Sequence, residues 1–194
     1  MAAVVARVNR VALPTALLLL LSTIAAAKDS FRIEYFKVRG ATAAELRADL
    51  RRVGPVGETG VIGGALTKYR IVWQISMTFE NSSCRAEDVN VDLDVTMLLP
   101  RWEPPAGVAP EVVQVWDRIS ALLREHEDGH HRLAIEAARE VRRRLGKAVR
   151  ADSCGALKSR LNDTANAVLR EYRAKQAAYD ERTDYGRDQT SGLL

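Results

Sequence analysis

Apolar and polar positions recur along this chain with two different periods, and the change of period divides it into two halves. In the first half the period is two. Tyr69, Ile71, Trp73, Ile75, Met77 and Phe79 alternate with mostly polar residues, and Val89, Val91, Leu93, Val95, Met97 and Leu99 alternate with Asn90, Asp92, Asp94 and Thr96. Each run predicts a strand with one buried and one wet face. Asn81-Ser82-Ser83 and Glu87-Asp88 lie between the runs, so an antiparallel pair with a connection of about nine residues is expected. Upstream, Phe31 to Val38 reads as a further strand ending at Gly40. Thr42-x-x-Glu45 is a capping box that opens a helix through Leu46, Leu50 and Val53, stopped by Gly54-Pro55. The glycine-rich stretch 57–64 has no phosphate-loop spacing and reads as a mobile loop. Pro100, Pro104, Pro105 and Pro110 then read as a stiff, non-helical linker at the end of the sheet.

In the second half the period becomes helical. From about Glu111 to Val149, Trp116, Ile119, Leu123, His126, His130, Leu133, Ala137 and Val141 recur at steps of three or four. Asp152-Ser153-Cys154-Gly155 breaks this helix. A second one is expected from Ala156 to Tyr179, with Leu157, Leu161, Val168, Leu169 and Tyr172 as its stripe. The short break makes the two helices antiparallel neighbours. The polar tail after Tyr179 reads as a loop that folds back. The pattern as a whole predicts an α+β fold: an antiparallel sheet with one helix in 28–105, a helical hairpin in 110–180, and a tail in 181–194.

The inward stripe of the long helix carries the chemistry. The chain has three histidines, all within His126-Glu127-Asp128-Gly129-His130-His131. In H-E-x-x-H the two imidazoles lie one turn apart on one helical face and can bind a single Zn²⁺. Glu127, about 100° round the helix, is placed to take a proton from a water that zinc brings to a pKa of about 7. Gly129 leaves room near the helix axis. The plainer alternative is a pair of satisfied core histidines; the i, i+4 spacing with Glu between favours metal. His131 points to another side. A catalytic zinc needs a third protein ligand, and no fourth histidine exists. Reflection across the hairpin brings Glu171 and Tyr172 forward, and a tail that doubles back brings Asp180, Asp184 or Tyr185. Glu136 and Glu140 sit too far along the site helix. Asp92 and Asp94 share one face of a strand and are read as solvent-facing residues.

Composition adds compartment. Residues 1–27 read as a cleaved signal peptide: Arg7 and Arg10, an apolar core through Leu17 to Leu21, then Ala25-Ala26-Ala27. An uncleaved anchor is the alternative, disfavoured by the short apolar stretch. The protein is then exported, periplasmic or secreted, and the remainder is one domain by size. Cys84 and Cys154 are the two cysteines. An oxidising compartment favours a bridge between them over free thiols, closing a loop of about 70 residues for roughly 4 kcal/mol. The formal net charge is +4, and Arg7 and Arg10 belong to the leader, so the rest is close to neutral. The basic run Arg139 to Arg150 has no aromatic platform, which argues against nucleic acid. No membrane association is expected beyond the leader.

Several marks together carry a resemblance. They are Thr67-x-Tyr69-x-x-x-Trp73, Cys84-Arg85 before a Val-Leu-Asp-Val strand, Leu99-Pro100-Arg101-Trp102, the H-E-x-x-H helix, Cys154, and Tyr179-Asp180-x-x-Thr183. Over nearly all of the chain after the leader, the sequence resembles a bacterial family of predicted secreted zinc-dependent proteases, domain-of-unknown-function family 922. The resemblance implies a zincin-like metal site, with His126 and His130 as ligands and Glu127 as general base. The family's tail carries a histidine before its glycine, where this chain has Tyr185. The expected function is an exported zinc metallopeptidase acting on a peptide or protein substrate. The alternative is a non-catalytic envelope binding protein with a degenerate or structural metal site.

Overall fold

The structure is a computed structural model and describes residues 28–57, 60, 62–147 and 150–186. The expected signal peptide and the end of the tail lie outside the described residues. The elements are strand β1 (Asp29–Val38), helix α1 (Ala43–Val53), strands β2 (Leu66–Glu80) and β3 (Ser83–Trp102), helix α2 (Pro110–Leu145), the short strand β4 (Arg150–Ala151) and helix α3 (Cys154–Arg182). This is an α+β fold with three helices and a mixed sheet. None of the described helices is long and apolar enough to cross a membrane.

The sheet corrects the expectation of an all-antiparallel arrangement. Its main order is β1-β3-β2, with β4 added to the start of β3. β2 and β3 are antiparallel, as their hairpin requires, but β1 runs parallel to β3 from Asp29 opposite Leu93 to Val38 opposite Trp102. Parallel neighbours need a long crossover, and here α1 and β2 supply it. Period-two patterning marks strands and faces but carries no information about which strand lies beside which.

The β2–β3 hairpin also differs. Its turn is only Asn81-Ser82, both at positive φ (52° and 60°), with Glu80 paired to Ser83. That left-handed pair matches the twist of a two-residue hairpin. The nine-residue connection was an artefact of a bulge. Ser76 pairs Asp88 and Met77 pairs Ala86, so Glu87 is the extra residue and the alternation loses phase there.

Two prolines expected as linker are absorbed into regular elements. Pro100 lies inside β3, beyond the start of β2 at Leu66–Leu98, where β1 is the only neighbouring strand among the described residues; a residue without an N–H fits such a position. Pro110 opens α2 at the first helical position, where a backbone N–H would have no helical partner anyway and its absence costs nothing. Gly146 closes α2, its N–H donating to Arg142 O, so that helix ends earlier than the periodicity implied. The expected cap of α1 is present: Thr42 Oγ1 accepts from Glu45 N, and the Glu45 carboxylate accepts from Ala41 N. The stretch expected as a mobile loop is closed by a bridge between Val56 and Ile62 and by Gly63 N donating to Pro55 O.

The core has two parts joined by α2. One packs the C-terminal half of α2 and α3 onto β2 and β3, with Val91, Val95, Val141, Leu157, Leu161 and Val168 at its centre. The other packs α1 and the first turns of α2 against the ends of β1 and β3, with Leu46, Met97, Trp116 and Ile119. The apolar stripe of α2 therefore runs unbroken up to Leu123 and resumes at Ala134. The histidines fill the gap. The Cys84–Cys154 disulfide ties the start of β3 to the start of α3, its Cα atoms 5.0 Å apart.

Candidate metal centre

His126 and His130 lie one turn apart on α2 and both project towards the last turn of α3. Asp180 comes to meet them from that turn. His130 Nε2 is 3.2 Å from His126 Nε2 and 2.9 Å from Asp180 Oδ1, and His126 Nε2 is 3.3 Å from the same oxygen. These three residues form a group whose donor atoms can hold a metal ion. Asp180 was among the expected third ligands, but on a tail that doubles back. Instead α3 continues to Arg182, and the carboxylate sits on a rigid helix.

The reflection candidates go elsewhere. Glu171 pairs with Arg144 and Lys175, and Tyr172 is buried in the core. Glu140 is taken by Arg143 and Arg144. Asp92 accepts from Lys28 N, and Asp94 from Ser30 and Arg70, which fits the solvent-face reading. After α3 the chain does turn back: Asp184, Tyr185 and Gly186 all have positive φ (47°, 55° and 78°). Tyr185 N donates to Asp180 O at 2.7 Å, and the Tyr185 side chain is largely exposed. A Cβ on Gly186 would lie 3.2 Å from the His126 ring, so this turn rests on the imidazole.

A second ring of residues holds the first, and the sequence reading missed most of it. Gln176 clasps His130 twice, its Oε1 2.5 Å from Nδ1 and its Nε2 donating to His130 O at 3.2 Å. The amide nitrogen must face the carbonyl, so its oxygen faces the ring, and Nδ1 carries the hydrogen. Nε2 is left as a lone pair pointing at the group, which is the form a metal requires. His126 Nδ1 has Thr183 Oγ1 at 3.4 Å. Tyr179 stacks on the His126 ring and donates to His126 O. Gly129 makes that possible: a Cβ there would lie 2.2 Å from the Tyr179 hydroxyl oxygen. Gln176, Tyr179, Asp180 and Thr183 recur at helical steps. That spacing is the available signal; Gln176 and Tyr179 fall within the expected helix, while Asp180 and Thr183 fall in the stretch whose polarity suggests a loop.

The electrostatics follow from burial and crowding. Burial pushes the Glu127 carboxyl upward, against the pull of Thr67 and the two imidazoles. Glu127 is 4 % exposed, and its Oε2 is the buried side-chain oxygen with no hydrogen-bond partner among the described residues. Burial also works against a charged His130, but Asp180 and Gln176 outweigh it and the net shift is upward. For Asp180, burial raises and the two histidines lower; the histidines win and hold it below the usual carboxylate range. Two imidazole nitrogens and a carboxylate oxygen this close need a positive charge between them, either a proton or a metal ion. Bonds of about 2.0–2.1 Å in tetrahedral geometry set zinc ligand atoms roughly 3.3 Å apart, and the sides of this triangle approach that spacing. The chain's donors therefore fit a metal ion. His131 lies on the other side of α2, stacked on Phe31 with ring centroids 4.3 Å apart.

The class of protein is thus an α+β domain with a His-His-Asp group, able to hold a metal ion, built across a helical hairpin. The chain belongs to the family described as "Bacterial protein of unknown function (DUF922)", whose model matches residues 33–186. No curated protein and no solved structure matches it.

Proposed function

We propose that this protein is an exported zinc metallopeptidase of zincin type. The observation that carries the reading is the convergence of His126, His130 and Asp180 beside the buried Glu127, whose Oε2 has no hydrogen-bond partner among the described residues. His126, His130 and Asp180 are the residues that would hold zinc. When bound there, zinc supplies a Lewis acid that polarises a carbonyl and lowers the pKa of water to about 7. The rest falls to the chain. Glu127 accepts the proton of the attacking water and returns it to the leaving amine. Its burial raises its proton affinity, which suits that exchange near neutral pH. Gln176 and Thr183 keep the imidazoles in the ligating tautomer and orientation. A structural zinc is closed by four protein ligands, and the group has three among the described residues, which favours catalysis over a purely structural role. The disulfide supports export to an oxidising compartment, periplasm or medium. The substrate class is a peptide or protein.

The test combines metal content with turnover. Elemental analysis should find about one zinc per chain, lost in His126→Ala/His130→Ala. Glu127→Gln should keep that zinc and abolish peptide hydrolysis. A Glu127→Gln protein with full activity would overturn the mechanism, and a well-folded wild type that takes up no zinc would overturn the site.

A further inference from the structure

We propose that β1 is a self-complementary edge through which two copies of this chain pair, joining their sheets into one. The inference is independent of the metal reading. β1 borders the sheet and pairs with β3 alone among the described strands. Its outer backbone is an open template for another strand. Along it, Phe31 and Tyr35 are 43 % and 56 % exposed, an apolar pair left to solvent on an edge. Arg32 and Glu34 are also more than half exposed and form an ion pair with each other along the strand.

The occupant is named by the order of these residues. A two-fold axis through Ile33 pairs β1 with an antiparallel second copy. Ile33 then faces Ile33, Arg32 faces Glu34, Phe31 faces Tyr35 and Asp29 faces Lys37, each hetero-pair occurring twice by symmetry. Opposite charges and aromatic pairs directly across an antiparallel ladder are the stabilising combinations. Neighbouring registers lose this. Centring on Glu34 sets Glu34 against Glu34, and centring on Arg32 sets Arg32 against Arg32, like charges that repel. A slip of one residue sets Ile33 against Glu34 or Arg32, mixing the apolar face with the wet one. Asp29 also bonds Arg142, yet its side chain keeps half its surface exposed and within reach of a facing Lys37. The His126-His130-Asp180 group lies between α2 and α3, whereas His131, next to His130 on α2, stacks on Phe31 of β1.

One strand per copy is less than the roughly 20–30 residues a side of a stable interface, so association should depend on concentration. Sedimentation equilibrium of the purified chain reads it directly. The expected result is a reversible dimer, weakened about tenfold by Arg32→Glu or by Glu34→Arg, and restored by the charge swap Arg32→Glu/Glu34→Arg. Both positions are exposed, and circular dichroism of each variant checks that the fold is kept. A wild type that stays monomeric up to about 1 mM overturns the proposal. So does a dimer indifferent to both single variants, which would place the contact on another surface such as β2, or a double variant no better than the singles.

Discussion

Gly129 is the residue on which the packing around His126 and His130 turns. Glycine inside a helix costs about 1 kcal/mol relative to alanine, so an exposed site would gain from the exchange. Here the added methyl would collide with the Tyr179 ring and hydroxyl, 2.2–2.8 Å away. Tyr179 is itself fixed by its stack on His126 and its bond to His126 O. Gly129→Ala should therefore destabilise by about 1–3 kcal/mol and disturb the stack of Tyr179 on His126. In a Tyr179→Ala background the same exchange should be neutral or stabilising. Urea midpoints of the four proteins in this cycle measure the coupling; additive effects would show that the two residues do not meet. The legible half of the site belongs to this scale too. His126, Glu127 and His130 declare themselves by spacing on one helix. Asp180 could only be one of several acids, because a contact across 50 residues of chain leaves no periodic trace.

At the scale of elements, the helical hairpin is held by apolar packing and by a charge cluster at its closed end. Glu140 bonds Arg143 and Arg144, and Arg144 reaches across to Glu171 on α3. The two guanidinium groups pull the Glu140 carboxyl from 4.5 down to about 2. A carboxyl depressed in the folded state adds stability above its unfolded value, and that contribution fades as pH falls towards the folded one. The loss therefore lies between about pH 4.5 and 2. Glu140→Gln should lower stability at neutral pH and flatten the acid limb over that window, while leaving the difference from wild type small near pH 2. Thermal midpoints against pH for the two proteins test it; parallel curves would remove Glu140 from the account. Element boundaries show what pattern alone can reach. The capping box at Thr42 and Glu45 was readable because its bonds are local. The tight turn at Asn81-Ser82 was not, because the bulge at Glu87 shifted the alternation.

At the scale of the molecule, one covalent tie spans the architecture. Cys84 is fully buried at the edge where β4 meets β3, and its bridge to Cys154 anchors the start of α3 to the sheet. The chain between them includes most of β3 and all of α2, so α3 is positioned from both ends: by the disulfide at one and by the contacts of Asp180 with His126 and His130 at the other. Replacing both cysteines by alanine should cost about 4 kcal/mol through the unfolded chain's regained freedom. The urea midpoint should fall accordingly, and the wild type in reductant should move towards the variant. A midpoint unchanged in both cases would mean that the bridge constrains nothing the packing does not already fix.

The sequence by itself determined what depends on neighbours a few residues apart. It set the strands of the first half, the helices of the second, the two histidines on one face, the glutamate beside them and the single possible cysteine pair. Those follow from side-chain periodicity, capping and counting, which are local or arithmetic. The tertiary structure alone decided the parallel placement of β1 against β3, the meeting of Asp180 with His126 and His130, and the clasp of Gln176 and Tyr179 around the histidines. Each of these joins segments distant in the chain, and which distant segments meet is settled by how two helices and a twisted sheet fill one core, not by any pattern written along it.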